Sequence, residues 1–500
     1  MTSNNSIFKK LIKSTGFSFI ALVISTGFKF LTQIVLAWML GARIFGLYTL
    51  GMVIYQFGEL IARLGLESGA VRYVSIHYGA EDNQKLKGIL IQSLGLPFLS
   101  GIVLGTLMFF GAEPIAQNIF NKPELTIVLQ IFAVAIPFGA SMTVGAFATT
   151  GFQVSKYKVT LWDLLLPGLN LILATILCSL GWGLRGASLA WLATLVIALV
   201  ITAYCIYKIF PDLSNFKIQA IFETKQLLKF SLALSFGSFL WLVLLWTDAL
   251  MLGLFRSEAE VGIYRAASQT ALLMTLFTRS VVNLFSPMIA KLYSEQQLSD
   301  LEKLFQTASR WSFALTLPLF LFVVVSGKDV LHIFGAEFSQ GWLPLAILAA
   351  GQLARAGPGG LSMHMLAMSG NQNLKLISDV ILATLNVILN FLFIPRWGML
   401  GAAIATGVSI LLVNLLRSWQ VALVLHMQGF SKNYFKIAGA GVVTFVLAFG
   451  LNSWLVFMPF LLRMLAIGSV IFLVYGILFY LVCLEDIDRQ MLSRFRKKKS

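Results

Sequence analysis

Charge is scarce in this chain of 500 residues: 12% of positions are Asp, Glu, Lys or Arg, against 58% hydrophobic. A soluble domain cannot bury that much apolar surface, so lipid must supply most of the solvent. Cysteine is nearly absent too. Cys178, Cys205 and Cys483 all lie in apolar runs and show no metal-ligand spacing, which leaves neither a disulfide framework nor a thiolate metal site to expect. The sequence has no phosphate-binding loop and no nucleophile motif. ATP bound to this chain is therefore excluded as a driving force, and the expectation is a protein that is no enzyme and needs no cofactor.

What the sequence has in abundance is long apolar runs, with a mean hydropathy of +0.85. Only helices and closed barrels satisfy their backbone groups in hydrocarbon. Runs of about 20 residues suit helices, whereas barrel strands would alternate over about 10 residues. The chain reads as an all-α polytopic membrane protein of fourteen helices, at 14–40, 44–70, 87–112, 127–150, 158–181, 185–209, 227–255, 261–290, 309–327, 343–369, 374–395, 398–427, 433–455 and 458–484. Gly41-Ala42-Arg43, Gly181 to Leu184 and Pro395 to Gly398 are short enough to close tight hairpins. Segment 210–226, with Phe216 and Phe222, reads as an interfacial elbow. The basic start, Met1 to Lys13, leads into an apolar run with no small-residue cleavage site, so it reads as a retained first span.

Lys and Arg set the orientation. With the N-terminus in the cytoplasm, cytoplasmic segments hold 24 basic residues and outer loops 6. The net charge of +16 thus describes topology, with both termini cytoplasmic, and not a nucleic-acid surface. The tail from Arg489 to Lys499 reads as a solvated anchor at the lipid surface.

One offset recurs. Gly46-Leu47-Tyr48 matches Gly262-Ile263-Tyr264 at +216, and Asp163 with Leu169-Asn170 matches Asp379 with Leu385-Asn386 at +216. Trp182-Gly183 with Gly186-Ala187 matches Trp397-Gly398 with Gly401-Ala402 at +215. Helices 1–6 (N-lobe, 1–209) and 7–12 (C-lobe, 227–427) therefore read as parallel repeats around a central cavity, with 210–226 as linker, helices 13 and 14 in 428–484 as an addition, and 485–500 as the basic tail.

Lys29, Arg63, Arg265, Arg279 and Arg355 fall inside spans, with Glu59 at comparable depth. A charge near the bilayer centre costs at least ~2.5–3.5 kcal/mol, so such residues face a wet cavity or a partner. Gln56, Glu59, Arg63 and Glu67 form one helical stripe. Arg265, Ser268, Thr275, Arg279 and Asn283 form another, and the +216 offset carries Arg63 to Arg279. Gln33 lies one turn beyond Lys29, and Gln352 shares a face with Arg355, which falls near the middle of its helix. This count, +5 against −1, suits an anionic cargo, above all a phosphate or diphosphate gripped by forked guanidinium groups. Two plainer readings stay open: Glu59 and Arg63 as an i,i+4 pair, and Arg265 as a snorkelling helix-end residue. Asp163 and Asp379 read as repeat-equivalent structural contacts, and His364 as a packing residue.

Leu40-Gly41-Ala42-Arg43-Ile44-Phe45-Gly46-Leu47-Tyr48, followed by Gly65-Leu66-Glu67-Ser68-Gly69-Ala70-Val71-Arg72, resembles the opening of polysaccharide transporter family proteins. Thr247-Asp248-Ala249-Leu250-Met251-Leu252-Gly253, followed by Val261 to Ala267, resembles them as well. These are the O-antigen and exopolysaccharide flippases of the multidrug/oligosaccharidyl-lipid/polysaccharide superfamily. The resemblance implies a cavity lined mainly by helices 1, 2, 7 and 8. It also implies a polyprenyl-diphosphate-linked oligosaccharide as cargo, moved from the cytoplasmic to the outer leaflet of the cell membrane by alternating access, with membrane lipids and a polysaccharide polymerase as partners. A multidrug exporter coupled to cations, or a lipid II flippase, are the alternatives.

Overall fold

In the computed structural model the described residues are 2–485 and 488, with side chains described from residue 21 onward except 155, 283 and 284. The rest of the expected basic tail lies outside the described residues. The fold is all-helical among them. Its α-helices are α1 (Thr2–Ala62), α2 (Leu66–Gly79), α3 (Asn83–Pro114), α4 (Leu125–Gly151), α5 (Ser155–Lys158), α6 (Leu166–Leu177), α7 (Gly183–Ile209), α8 (Thr224–Phe255), α9 (Glu258–Leu273), α10 (Thr275–Ser294), α11 (Leu298–His332), α12 (Trp342–Ala356), α13 (Pro358–Met368), α14 (Gln372–Val424), α15 (Asn433–Trp454) and α16 (Phe460–Leu478).

Among the described residues, ten segments are long and apolar enough to cross a membrane. Three of them, Ala21–Gly79, Lys156–Ile209 and Gln372–Val424, run to 59, 54 and 53 residues, far beyond the ~20 that one crossing needs. Each contains glycine in a conformation that no other residue adopts easily: Gly41 (φ 71°), the pair Gly181 and Gly183 (φ 83° and 49°), and Gly398 (φ 57°). These are the hairpin positions expected from sequence.

Three helices are broken where the sequence reads as continuous. The expected helix 44–70 stops at Ala62, because Leu64 (φ 54°) and Gly65 (φ 70°) turn left-handed before α2 begins. A Cβ on Gly65 would lie 2.3 Å from the Ser231 carbonyl oxygen, so the break serves the close approach of α8. The expected helix 343–369 breaks at Gly357, extended as the residue before a proline prefers, and α13 restarts with Pro358 at its first position. Segment 261–290 is likewise divided, at Met274. Of the segment 210–226, residues 224–226 already belong to α8, and 215–223 form an irregular strap after a short turn at Pro211–Ser214. Lys87 Nζ donates to the Asn215 and Ile218 carbonyls (2.7 and 3.1 Å), Ile221 N–H donates to the Gln84 carbonyl (3.1 Å), and Glu223 pairs with Lys85 and His77 (both 3.0 Å).

Packing divides the chain into two compact units, 1–262 and 263–500. In the first, α3 and α4 approach closely because Gly101 faces the Pro137 backbone and Gly105 the Ala133 carbonyl. The buried cluster around Leu66, Val74, Ile89, Phe152 and Ile206 joins α2, α3, α4 and α7. The helix α8 packs in this unit, with Gly253 against Leu50 and Ser231 against Gly69. The packing division thus falls later in the chain than the repeat boundary read from sequence. In the second unit, α15 and α16 lie on α11: Tyr475 donates to the Ala314 carbonyl (2.9 Å), and Arg463 Nε donates to Asp329 (2.8 Å). Arg310, expected at a cytoplasmic surface, is 2% exposed and pairs with the fully buried Asp488 at 2.7 Å. That aspartate, at least, is a core residue and no part of a solvated tail.

The matched sequence positions share local geometry. Gly183 (φ 49°, ψ −125°) and Gly398 (φ 57°, ψ −134°) have the same rare backbone. A Cβ on Gly186 would strike the Leu177 carbonyl oxygen, and one on Gly401 the Phe393 carbonyl oxygen. Asp163 and Asp379 each take a lysine from the preceding turn, Lys158 at 3.1 Å and Lys375 at 2.8 Å. Gly46 sits against the Glu258 carbonyl, and Gly262 against the Ala42 carbonyl.

Candidate functional site

In the first unit the polar stripe is a short chain of alternating charge. Glu59, 7% exposed, accepts a hydrogen bond from Thr143 Oγ1 (3.0 Å), and its other oxygen lies 3.3 Å from Arg63 Nε. Arg63 Nη1 lies 3.9 Å from Glu67 Oε1. Arg63 is the first residue of the break ahead of Gly65, which is how one guanidinium reaches carboxylates on both α1 and α2. With two acids and one base this group is not cationic. The count of +5 against −1 left out Glu67, and the i,i+4 reading of Glu59 and Arg63 describes the contact that is present. Gln56 and Gln33 are half-buried, and Lys29 is exposed, one turn before Gln33 on α1.

The second unit differs. Arg355 is half-buried in the last turn of α12, just before the Gly357 break and not mid-helix. The charges acting on it are Arg417 and Arg279, both repelling, and Asp379, attracting. Arg417, on α14, is 4% exposed and bonds Asp379 Oδ1 at 2.5 Å through Nη2. Lys375 approaches the other Asp379 oxygen at 2.8 Å. His364 on α13 faces Arg355, Lys375 and Arg417. Arg417 and Lys375 thus hold one carboxylate, Arg355 lies within its electrostatic reach, and Arg279 lies within that of Arg355. Buried polar atoms are left unsatisfied on the same helices: Arg417 Nε, Gln352 Oε1 and Asn414 Oδ1 have no hydrogen-bond partner among the described residues. Such atoms are costly unless a ligand or water completes them.

Arg265 and Arg279, placed on one face by the sequence, have different surroundings. Arg265 is 8% exposed and its guanidinium donates to the Gln269 amide oxygen at 2.5 and 2.8 Å, whereas Arg279 is exposed on α10 beyond the Met274 turn. The Asn283 side chain of that stripe lies outside the described residues. The structure therefore brings Glu59, Arg63 and Glu67 together in one unit, and Arg279 and Arg355 in the other. Sequence reasoning missed Arg417: it lies two turns from the end of α14, where a basic residue passes for a snorkelling one. The signal that could have found it is the hairpin: Asp379 stands 19 residues before Gly398 (398 − 379) and Arg417 stands 19 after it (417 − 398), so the turn sets them level.

A family described as polysaccharide biosynthesis protein matches residues 11–293, more than half of the chain. The chain belongs to this polysaccharide biosynthesis family. Among its relatives, the probable low-salt glycan biosynthesis flippase Agl15 of Haloferax volcanii is 27% identical over 182 residues, 36% of this chain and 38% of that protein. The matched stretch is thus well under two thirds of Agl15. An uncharacterized membrane protein, EpsK of Bacillus subtilis, is 24% identical over 92% of this chain and 93% of its own length. Among solved structures, the lipid II flippase MurJ in an inward-closed conformation aligns with a TM-score of 0.73 and 17% identity, covering 93% of this chain and 98% of that one. At that identity the likeness establishes the fold alone: this member of the polysaccharide biosynthesis family is a multi-pass membrane protein that shares the helical fold of that structure.

Proposed function

We propose that the protein is a flippase with no enzymatic activity, which carries a polyprenyl-diphosphate-linked oligosaccharide from the cytoplasmic to the outer leaflet by alternating access. The observation that carries this reading is the cationic cluster of the second unit. In the contacts described, Arg279, Arg355 and Arg417 with Lys375 set four positive charges against the carboxylate of Asp379. Apolar surroundings make such an excess expensive, and a diphosphate with forked acceptors is the group that offsets it. The unsatisfied Arg417 Nε and Asn414 Oδ1 add polar capacity on the same helix. The cluster lies by the start of α14 and the second end of α14, which the basic asymmetry assigns to the cytoplasmic side, where such a cargo would load. Outward movement of negative charge is favoured by an inside-negative potential, by ~2.3 kcal/mol per charge per 100 mV.

The same proposal takes the chain as fourteen crossings. Each of the three over-long segments folds back at its glycine, and α12 with α13 forms one broken crossing. It takes 1–209 and 227–427 as two copies of one unit, supported by the shared glycine geometry at +215 and +216. Arg279 and Arg355 hold the diphosphate. Arg63, flanked by Glu59 and Glu67, and Arg265, held by Gln269, serve the helix architecture. Glycan export by cells that depend on this chain is the test. Removal of one charge-assisted contact costs ~1.5–3 kcal/mol, so Arg279→Ala and Arg355→Ala should each lower export about ten- to a hundredfold. Lysine replacements should be milder. Normal export from the Arg279→Ala, Arg355→Ala double variant, at wild-type protein level, would overturn the assignment.

A second reading, a cation-coupled exporter, draws on the acidic surplus of the first unit. It requires Glu59→Gln to abolish activity while both arginine variants remain active.

A further inference from the structure

A cavity of about 490 Å³ opens in the first unit, lined by none of Glu59, Arg63 and Glu67, between the α6–α7 hairpin, the start of α4 and the helical residue Ile44 just past the Gly41 turn. Its lining includes Trp182, Arg185, Glu124, Gln130, Thr126 and Ile44. The size falls in the range of small-molecule sites, ~300–1,000 Å³.

The backbone fixes the key side chain. Trp182 stands between Gly181 and Gly183, both with positive φ, and a Cβ on Gly186 would come within 2.8 Å of the Trp182 Cβ. The indole is 53% exposed. The polar lining is unevenly satisfied. Glu124 is occupied by Arg43 at 2.9 Å. Arg185 is exposed and has no acidic partner among the described residues. The Thr126 hydroxyl is buried and has no hydrogen-bond partner among the described residues.

An aromatic face beside planar, multidentate polar side chains is the chemistry that takes a pyranose ring. The axial C–H groups of the sugar lie on the indole, and its hydroxyls exchange hydrogen bonds with amide, carboxylate and guanidinium groups. An uncompensated guanidinium further favours a ring that carries a carboxylate. We infer that this cavity is a saccharide-binding site with a preference for acidic sugars. Its location on the outer side, where a translocated glycan would be met, rests on the orientation in the proposed function; the binding itself does not.

Binding is read by saturation-transfer NMR on the full chain in lipid nanodiscs, with glucuronate, glucose and glycerol 3-phosphate as probes. The wild type should transfer saturation to glucuronate more strongly than to glucose. Trp182→Ala should weaken both about tenfold. Arg185→Gln should leave glucose unchanged and bring glucuronate down to it. Trp397→Ala, which removes the equally exposed indole of the matched hairpin (51%), should change neither. Three results would overturn the inference: no saccharide signal from the wild type, saccharide signals unchanged in both Trp182→Ala and Arg185→Gln, or a Trp182-dependent signal from glycerol 3-phosphate alone, which would make the cavity a lipid-headgroup site. No transport is measured, so failure here is separate from failure of the flippase reading.

Discussion

Asp379 is the acid on which the cationic cluster depends, and Asp379→Asn isolates its contribution. The carboxylate bonds Arg417 at 2.5 Å and Lys375 at 2.8 Å, and Arg417 is 4% exposed. Lys375 is about a third exposed and water screens much of its contribution. Arg417 has no such relief. Breaking a buried pair by removing one partner costs ~3–5 kcal/mol, because the other charge stays behind without compensation. Asparagine also raises the excess of positive charge from three to four. The variant should therefore lose several degrees of thermal midpoint in the absence of anions. Added inorganic pyrophosphate should restore more of that loss than it adds to the wild type, since ligand binding to the folded state stabilises by mass action. The double variant Asp379→Asn, Arg417→Met removes the stranded charge and should recover most of the stability without any anion. Scanning fluorimetry of purified protein across a pyrophosphate titration reads all three effects. An Asp379→Asn protein as stable as the wild type, with an equal pyrophosphate response, would refute the account of this cluster.

The strap should be sensitive to acid. The Lys85 hydrogen bond, with His77 also contributing, holds the Glu223 carboxyl below its ordinary value of 4.5. Its stabilisation is then complete above 4.5 and disappears as pH falls through the depressed folded value, so amide exchange across 215–223 should rise only below 4.5, and Glu223→Gln should raise it at neutral pH. Gly46→Ala should sharply reduce the yield of monodisperse protein, because its Cβ would lie 1.8 Å from the Glu258 carbonyl oxygen, backbone that cannot swing aside. Gly439→Ala, with open space at its Cβ, is the matched control that should leave the yield unchanged.

Much of this architecture was legible because hydrocarbon imposes strict rules. Apolar runs give the helices, and glycine at 41, 181 and 398 gives the hairpins, since only a residue without a Cβ turns there cheaply. The breaks were less legible. Gly357-Pro358 carries an explicit signal, a proline whose preceding residue is forced out of the helix, but its apolar surroundings hid it. The break at Leu64-Gly65 has only a glycine to announce it, and its cause, the Ser231 carbonyl, is distant in sequence. Charge posed the same difficulty. Spacing placed Glu59, Arg63 and Glu67 on one stripe, yet whether an arginine is a ligand or a tie between two acids depends on distances that spacing does not contain. Asp488 shows the limit most clearly: amid the basic residues near the end of the chain, nothing local distinguishes an acid that is wholly buried against Arg310.

The pattern of likeness and difference between matched positions bears on mechanism. Backbone devices are kept at both: the same glycine conformation after Trp182 and Trp397, the same aspartate–lysine turn at 163 and 379. The charges are not kept. Arg63 sits between two carboxylates, and Arg279, its partner at +216, belongs to a group with a single acid. On the proposed reading of two copies, packing geometry must survive in each for either to fold, whereas a binding charge is needed only where cargo would be held. A cationic group on one copy alone also suits release. A carrier has to let go of its diphosphate, and an uncompensated set of arginines would hold it too well. Asp379 supplies an internal competitor. With cargo absent it satisfies Arg417, so the empty state is not forced to retain an anion. On the proposed function, a bound diphosphate and the carboxylate would divide the same donors, which would lower affinity without removing selectivity for anions. On this argument Asp379→Asn should bind pyrophosphate more tightly than the wild type and yet export glycan more slowly. Tighter binding with faster export would show that Asp379 does not govern release.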